Sequence, residues 1–450
     1  MNSKLPDLNT YEFREVSFKH LMQNRIYNVL IICSFYDFYL LEEDGRIDEQ
    51  IFEEYSALNL RYPPNILHAF SANSAKTIME TDNIDLVIVW LDTAQKAVNI
   101  SNEIKANFPF IPIVAISHYS DELHKLLEKK YKNNIDFVFH WNGNVNIFIA
   151  IIKLVEDRMN AEKDIGIIGV KAILLVEDSI RFYSRYMPLI YKILMNQTQT
   201  FIQDGLNEHR KIMSKRGRPK VLLATTYEEG VDLFQKYKEN LLGVISDVTY
   251  FKDGKKNKQA GFHFLEYVRK YDKYFPVIIE SSEAKNEKRA VELHAKFLHK
   301  ESETLGRDIK KHITRYFSFG DFEFWDPDKK KIIKRAHDLK SFQKALSEVS
   351  QESIVYHSKR NDFSKWLKSR ALFPLANLFA KINFEDFTRE DHVREFLVAA
   401  VKAFRIYRSR GIIAKFEREQ YDEYLVFSRI GEGALGGKGS TDKLENAPLS

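Results

Sequence analysis

Lys171 to Ser179 reads KAILLVEDS: a lysine, five apolar residues from Ala172 to Val176, and the adjacent acids Glu177 and Asp178 where the run ends. A short unbroken apolar run closed by acids predicts a buried parallel strand that delivers polar groups at the carboxyl edge of a sheet. In an open α/β sheet, that edge is where ligands bind. Two neighbouring carboxylates repel each other unless a cation lies between them, and hard oxygen ligands in this arrangement suit Mg2+. Taken alone, the pair is as compatible with a strand end carrying two solvated acids.

Three later runs add to the pattern. Leu241 to Thr249, LLGVISDVT, presents Asp247; Phe275 to Ser282, FPVIIESS, ends in the hydroxyls of Ser281 and Ser282; Ala295 to Lys300, AKFLHK, ends in Lys300. Acid pair, single acid, hydroxyl and lysine, closing four strands in this order, resemble the receiver domain of two-component response regulators. The resemblance implies a receiver over residues 164–315, with Asp247 as the nucleophile that takes a phosphoryl group from a histidine kinase, a phosphotransfer protein or a small phosphodonor. It also implies Glu177, Asp178 and Asp247 as Mg2+ ligands, Lys300 as the phosphate's counter-ion, Ser281 as the hydroxyl that turns inward, and Phe297 as an aromatic switch. Catalysis in such a site is mostly positioning and charge neutralisation. Its readout is local charge biasing a two-state face.

The same element order occurs upstream. After a lead-in over residues 1–25, strand-like runs YNVLIIC, NILHAFS, IDLVIVWL, FIPIVAIS and IDFVFHW are spaced by helical stretches around Asp48 to Leu60, over SAKTIMET, and around Val98 to Asn107. The chemistry differs: Cys33 and Ser34 stand where the acid pair should be, Trp90 at the acceptor position, and His140 or Trp141 at the lysine position. Asp37 and Asp92 are offset, and only the hydroxyl, Ser117, is retained. Residues 26–163 therefore read as a pseudo-receiver whose last helix, Ile147 to Lys163, runs on as a connector. Its expected use is binding or dimerisation. The expected fold is α/β: two flavodoxin-like receiver domains, each a doubly wound parallel five-stranded sheet, followed by a mainly helical region.

In the second unit, a first helix over Phe182 to Met195 is followed by a polar insertion, residues 196–220, expected as surface loop with a possible helix over Phe201 to Met213. The insertion ends in KRGRPK, Lys215 to Lys220, which resembles the AT-hook core that enters an A·T-rich minor groove. The simpler reading is a solvated basic loop in which Pro219 sets the start of the next strand.

Beyond Arg315, FSFGDFEFWDPDKKKII reads as a turn-rich hinge punctuated by Gly320 and Pro327. Helical periodicity follows over Arg335 to Val349, Phe363 to Arg370, Leu372 to Ile382 and Arg389 to Arg410, the last with Thr388 and Gly411 as candidate caps. These elements make residues 316–415 a helical output or adaptor region. His337, His357 and His392 lack ligand spacing and read as surface or packing residues.

Phe427 to Gly439, FSRIGEGALGGKG, is glycine-rich with one lysine and lacks the spacing of a P-loop. It resembles the opening of the nucleotide-binding domain of phosphoenolpyruvate synthase and pyruvate, phosphate dikinase. GDFEFWDP, RAHDL, VYHSKRNDFSKWLKSRA and FRIYRSRG resemble the segment that joins receivers to that domain. The resemblance implies that Gly431, Gly433, Gly436, Gly437 and Lys438 border ATP phosphates in a full-length parent protein. STDKLENAPLS does not continue the family pattern, so residues 416–450 are expected to be a truncated ATP-grasp-like start, without phosphoenolpyruvate chemistry.

Composition sets the outer bounds. The chain has 450 residues, 44% hydrophobic and 13% aromatic, enough for about three packed domains. A net charge of +5 is small against 68 basic and 63 acidic residues and calls for no polyanion partner. A single cysteine, Cys33, permits no internal disulfide and suits a reducing compartment. No apolar run approaches a membrane span of about 20 residues, and the amino terminus has no signal-like segment. The expectation is a cytoplasmic tandem-receiver regulator, possible as a homodimer through receiver faces, with neither membrane nor nucleic acid as partner. Two rivals are an ATP-binding enzyme fragment using the GGKG segment and a DNA-binding regulator using KRGRPK.

Overall fold

The computed structural model describes residues 21–39, 41, 46–57, 62–90, 93–119, 122, 123, 126, 134–202, 218–370, 372–380 and 390–410. The expected ATP-phosphate residues Gly431, Gly433, Gly436, Gly437 and Lys438, the caps Thr388 and Gly411, and Asp92 lie outside them.

Five apolar runs of the first unit form β1 (Asn28–Ile32), β2 (Asn65–Ala69), β3 (Leu86–Trp90), β4 (Ile113–Ser117) and β5 (Phe137–His140). All pairings are parallel, in the order β2-β1-β3-β4-β5. The central β3 and β4 are buried at every residue, as the absence of polar alternation in their sequences requires of a strand covered on both faces. The helix Ala72–Thr81 begins with a reciprocal Ser71 and Ser74 capping box, and Ala94–Asn107 with Thr93 accepting from the Lys96 N–H.

The second unit repeats this plan with β6 (Ala172–Val176), β7 (Lys220–Ala224), β8 (Leu241–Asp247), β11 (Val277–Ser281) and β12 (Lys296–His299). The order is β12-β11-β8-β6-β7, again all parallel. The chain direction across each sheet therefore reverses at its first strand. A crevice forms at the carboxyl ends beside such a reversal. Between β8 and the following helix, Ala260–Tyr271, a small antiparallel hairpin is inserted, β9 (Tyr250–Lys252) and β10 (Lys255–Asn257). The sequence reading did not foresee it.

Edge strands show how the units meet. β2 is only half-buried, whereas β7, also an edge strand, is almost wholly buried. The difference arises because the first unit's last helix, Asn146–Ala161, packs on β7 and on the helix Ile180–Ile202. Asp157 of that helix is bonded by both Arg218 guanidinium nitrogens, at 3.0 and 2.8 Å, by the Tyr191 hydroxyl at 3.0 Å and by the Val221 N–H at 2.9 Å. Lys220 pairs with Asp164 at 2.9 Å, and both are fully buried. One apolar core accordingly runs from β1 and β4 through Ile149 and Tyr186 to Ile313.

Two expectations for the insertion change. The helix expected to stop at Met195 continues to Ile202, so residues 196–202 are helical and not loop; residues 203–217 are outside the description. Arg218 and Lys220, taken as half of a possible groove-binding hook, are turned inward onto carboxylates. Pro219 opens the strand, as the simpler reading required.

The segment read as a hinge is a hairpin, β13 (Phe322–Asp326) with β14 (Lys331–Ala336). Its alternation is real but short: Phe322 and Phe324 point into the core while Glu323 and Trp325 are half-buried. Five residues dense in aromatics and acids conceal that period, and Lys330, at φ +47°, completes a turn no glycine marks. Helices Leu339–Glu348, Gln351–Lys359, Asp362–Ser369, Phe373–Ala380 and Glu390–Arg410 follow; the first starts at Leu339 and not at Arg335, because Arg335 and Ala336 belong to β14, and the second was not anticipated. They enclose Phe322, Phe342, Phe363 and Trp366, with the Trp366 indole N–H donating to the Gly320 carbonyl at 3.1 Å. His357 belongs to this core, its Nε2 accepting from the Trp325 N–H and its Nδ1 facing Asp362, each at 2.8 Å.

Candidate functional site

Strand order alone gathers the polar ends of the second sheet. β6 lies beside β8, so Glu177 and Asp178 come next to Asp247, and one ligand atom from each falls within 4.8 Å of the others. β11 places Glu280 opposite Asp247, and Ser281 follows it. Lys300 leaves the end of β12, and its long stem crosses the width of β11 to reach the acids. Its ammonium lies 3.0 Å from Asp247 and in contact with Glu177. The Lys300 N–H is fixed by the Ser281 carbonyl at 3.1 Å, and its ammonium rests 4.3 Å from the centre of the Phe182 ring.

Backbone space at Asp247 is just as restricted. A Cβ on Gly261 would stand 2.0 Å from the Asp247 carbonyl oxygen and 2.8 Å from the Val248 Cα. Only glycine lets the helix Ala260–Tyr271 start so close to the end of β8.

Electrostatically the site is a buried acid group held by lysines. Burial works against the Lys300 ammonium, but the carboxylates of Glu177 and then Asp247 outweigh it, so its pKa lies above the usual lysine value. Burial raises the Asp178 carboxyl, with Lys256 opposing and Asp247 adding. Burial also pushes the Glu280 carboxyl up to about 7, where Lys300 lowers it and Asp247 raises it.

The residues present fit a divalent cation. Three carboxylates converge, and Asp178 Oδ1 is buried with no hydrogen-bond partner among the described residues. An oxygen without a partner in a buried site wants a cation or a donor. A hard cation of the Mg2+ or Mn2+ type matches an all-oxygen donor set.

Of the sequence-derived residues, Glu177, Asp178, Asp247 and Lys300 are brought together. The Ser281 hydroxyl is not bonded to their side chains: it accepts from the Glu283 N–H at 3.1 Å and the Asn286 amide at 2.9 Å. Phe297, half-buried, packs at the margin of the second core, on β12 opposite Ile279. Sequence reasoning missed Lys256, on β10, which pairs with Asp178 Oδ2 at 2.5 Å. It also missed Glu280, whose one signal was an acid inside the apolar run VIIES.

Among the described residues, the equivalent edge of the first sheet holds no such group. Trp90, at the end of the strand equivalent to β8, packs at 5.0 Å from Trp141 and 5.2 Å from His118, centre to centre, so aromatic rings stand where the second sheet has Asp247 and Lys300. Asp37 is buried, bonded by the Ser34 hydroxyl at 2.6 Å. Burial, with Asp37 adding, pushes the Cys33 thiol up to about 12.

No family model and no curated protein matches the chain. Among solved structures, PH0766 from Pyrococcus horikoshii OT3 aligns at 11% identity and TM-score 0.21, over 65% of this chain and 66% of that one. This chain thus spans just under two thirds of that protein's length. A putative LacI transcriptional regulator from Bacteroides fragilis aligns at 13% identity and TM-score 0.20, over 70% of this chain and 96% of that one. An ABC transporter substrate-binding protein from Desulfitobacterium hafniense aligns at 11% identity and TM-score 0.18, over 85% and 89%. Scores at this level carry no functional argument, and the site must be read from its own geometry.

Proposed function

We propose that the chain is a phosphoryl-accepting regulator of the response-regulator type. In this reading residues 164–315 form a flavodoxin-like receiver and residues 26–163 a pseudo-receiver. The observation that carries it is the convergence of Asp247 with Glu177, Asp178 and Lys300 beside the strand-order reversal. Strand order 2-1-3-4-5 in both sheets, with acids retained in one and aromatics in the other, supports the division of labour.

A bound Mg2+, held by Glu177, Asp178 and Asp247, would neutralise phosphoryl oxygens and lower the repulsion between donor and acceptor. The protein's own part is positional. An Asp247 carboxylate oxygen forms the new P–O bond as the donor's bond to phosphorus breaks, and the electron pair leaves with the donor. Lys300, kept cationic by its acidic neighbours, releases Asp247 and pairs with the incoming charge. Ser281 and Phe297 sit on adjacent strands, Phe297 opposite Ile279 two residues before Ser281, suited to relay the change towards neighbouring elements. The donor would be a histidine kinase or phosphotransfer protein, and the helical region from Phe322 the recipient of the signal.

Incubation with Mg2+ and acetyl phosphate, read by intact mass, tests this on wild type and Asp247→Ala together. The expected outcome is one phosphoryl adduct on wild type that the substitution abolishes. An adduct that persists in Asp247→Ala would remove Asp247 from its role.

A further inference from the structure

The hairpin β9–β10 brings a second lysine to the acid cluster, and its construction shows that this lysine is placed and not stray. Its turn, Asp253-Gly254, has φ of +51° and +71°, the paired positive values of a tight two-residue hairpin turn. Tyr250 is fully buried with its hydroxyl 3.2 Å from Ser246 Oγ on β8, and Phe251 bridges to Thr226, the N-cap of the helix Tyr227–Tyr237. The Asp253 N–H donates to Glu228 at 2.9 Å, and the Lys252 ammonium lies 4.3 Å from the Tyr227 ring centre. The hairpin is thus tied to two elements of the second unit. Alternation along β10 then sends Lys256, and not Lys255, towards Asp178.

We propose that Lys256 is a built-in competitor for the divalent cation: its ammonium holds Asp178 in the metal-free protein and must withdraw for Mg2+ to bind, which sets the metal affinity of the site. This inference rests on the metal-assisted reading of the acid cluster given above.

Charge and exposure decide that Lys256 is the group that yields. Three carboxylates facing the two ammonium groups of Lys256 and Lys300 leave one negative charge. Exchanging Lys256 for a divalent cation leaves the group neutral, whereas keeping both lysines would give it net positive charge. An ammonium and a divalent cation on one carboxylate repel more strongly than a half-exposed ion pair attracts. The Lys256 side chain is 50% exposed while that of Lys300 is 3% exposed. Lys256 can swing into water with little loss of solvation, and Lys300 cannot leave without stranding a buried charge. The apolar stem of Lys256 can stay on the hairpin, where its ammonium now lies 5.5 Å from the Phe251 ring centre.

Calorimetric titration of the full chain with MgCl2, without phosphodonor, tests this on wild type, Lys256→Gln, Lys256→Met and Lys255→Gln. Both Lys256 variants should bind Mg2+ with a Kd roughly three- to fivefold lower than wild type. Lys255→Gln, which removes the same charge from the same hairpin, should stay within about twofold, as expected of a screened surface charge. In parallel, the rise in Tm on adding Mg2+ should be larger for Lys256→Gln, because its metal-free form has lost a counter-ion. Equal or weaker Mg2+ binding by the Lys256 variants, with wild type binding, overturns the competitor role and leaves the metal site standing. An equal gain from Lys255→Gln would reduce the effect to general charge and overturn it as well. If none of the proteins binds Mg2+ at millimolar concentration, the metal-assisted reading falls and the competitor with it.

Discussion

Glu280 is a fully buried acid whose two oxygens have no hydrogen-bond partner among the described residues, beside Asp247 and Lys300 and near the Tyr186 hydroxyl. Its carboxyl is raised from an ordinary 4.5 to about 7, so between those values the folded chain keeps a proton that the unfolded chain has released. Folding then takes up a proton. The contribution of Glu280 is therefore most favourable below about pH 4.5, is lost as pH rises towards 7, and is constant above that. Glu280→Gln should leave stability near pH 4.5 almost unchanged and raise it at pH 8, by up to roughly 3 kcal/mol from the size of the shift. Urea unfolding at the two pH values, with metal chelated, measures the difference. A variant no more stable than wild type at pH 8 would mean the carboxylate is solvated there. At this scale the sequence was informative where a polar residue ended an apolar run, as with Glu177, Asp178, Asp247 and Lys300. It was silent on Lys256, because a lysine in KDGKKNK looks like any solvated charge until the hairpin fixes which one faces Asp178.

Gly261 ties a residue to an element, since the helix Ala260–Tyr271 can begin against β8 only without a side chain there. Gly261→Ala forces either the helix start or the acceptor strand to move, an overpacking cost of about 1–3 kcal/mol. Because the moving atom is the Asp247 carbonyl oxygen, the same shift should reduce phosphoryl uptake from acetyl phosphate. Full uptake by a folded Gly261→Ala protein would show that the strand end can give without disturbing Asp247. The inner sheet strands were readable because a strand covered on both faces must be apolar throughout, and such runs stand out in a polar chain; the edge strands β2 and β12, only partly buried, were read from their place in the repeated order. The hairpins β9–β10 and β13–β14 were not, for two different reasons. KDGKKN carries an Asp-Gly turn signal but no apolar strands on either side of it. FEFWD alternates correctly but over too few residues to separate from a loop. The helix Gln351–Lys359 escaped because its polar residues weaken the helical stripe, although Ile354 and His357 face the core.

At the scale of the whole molecule, the two sheets are joined by ions as well as by apolar packing. Asp157 on the first unit's last helix is fully buried and receives Arg218, Tyr191 and the Val221 backbone from the second unit. Removing a buried charge from such a group strands its partners, and Arg218 and Lys220 have no water to turn to. Asp157→Ala should therefore cost about 3–5 kcal/mol. The loss falls on the shared core, so it should also change how the protein melts. Wild type, with one core running through both sheets, is expected to unfold the two units in a single calorimetric transition. Asp157→Ala should lower that transition and split it, leaving the second sheet with its acid cluster to melt apart from the first. Asp157→Asn keeps the shape and some of the hydrogen bonds but not the charge, and should fall between the two. A lower but still single transition in Asp157→Ala would show that apolar packing between Asn146–Ala161 and Ile180–Ile202 suffices for coupling. In that case the ionic group contributes stability to the junction without setting its cooperativity, and a signal from Asp247 would have to cross to the first unit through the packed helices alone.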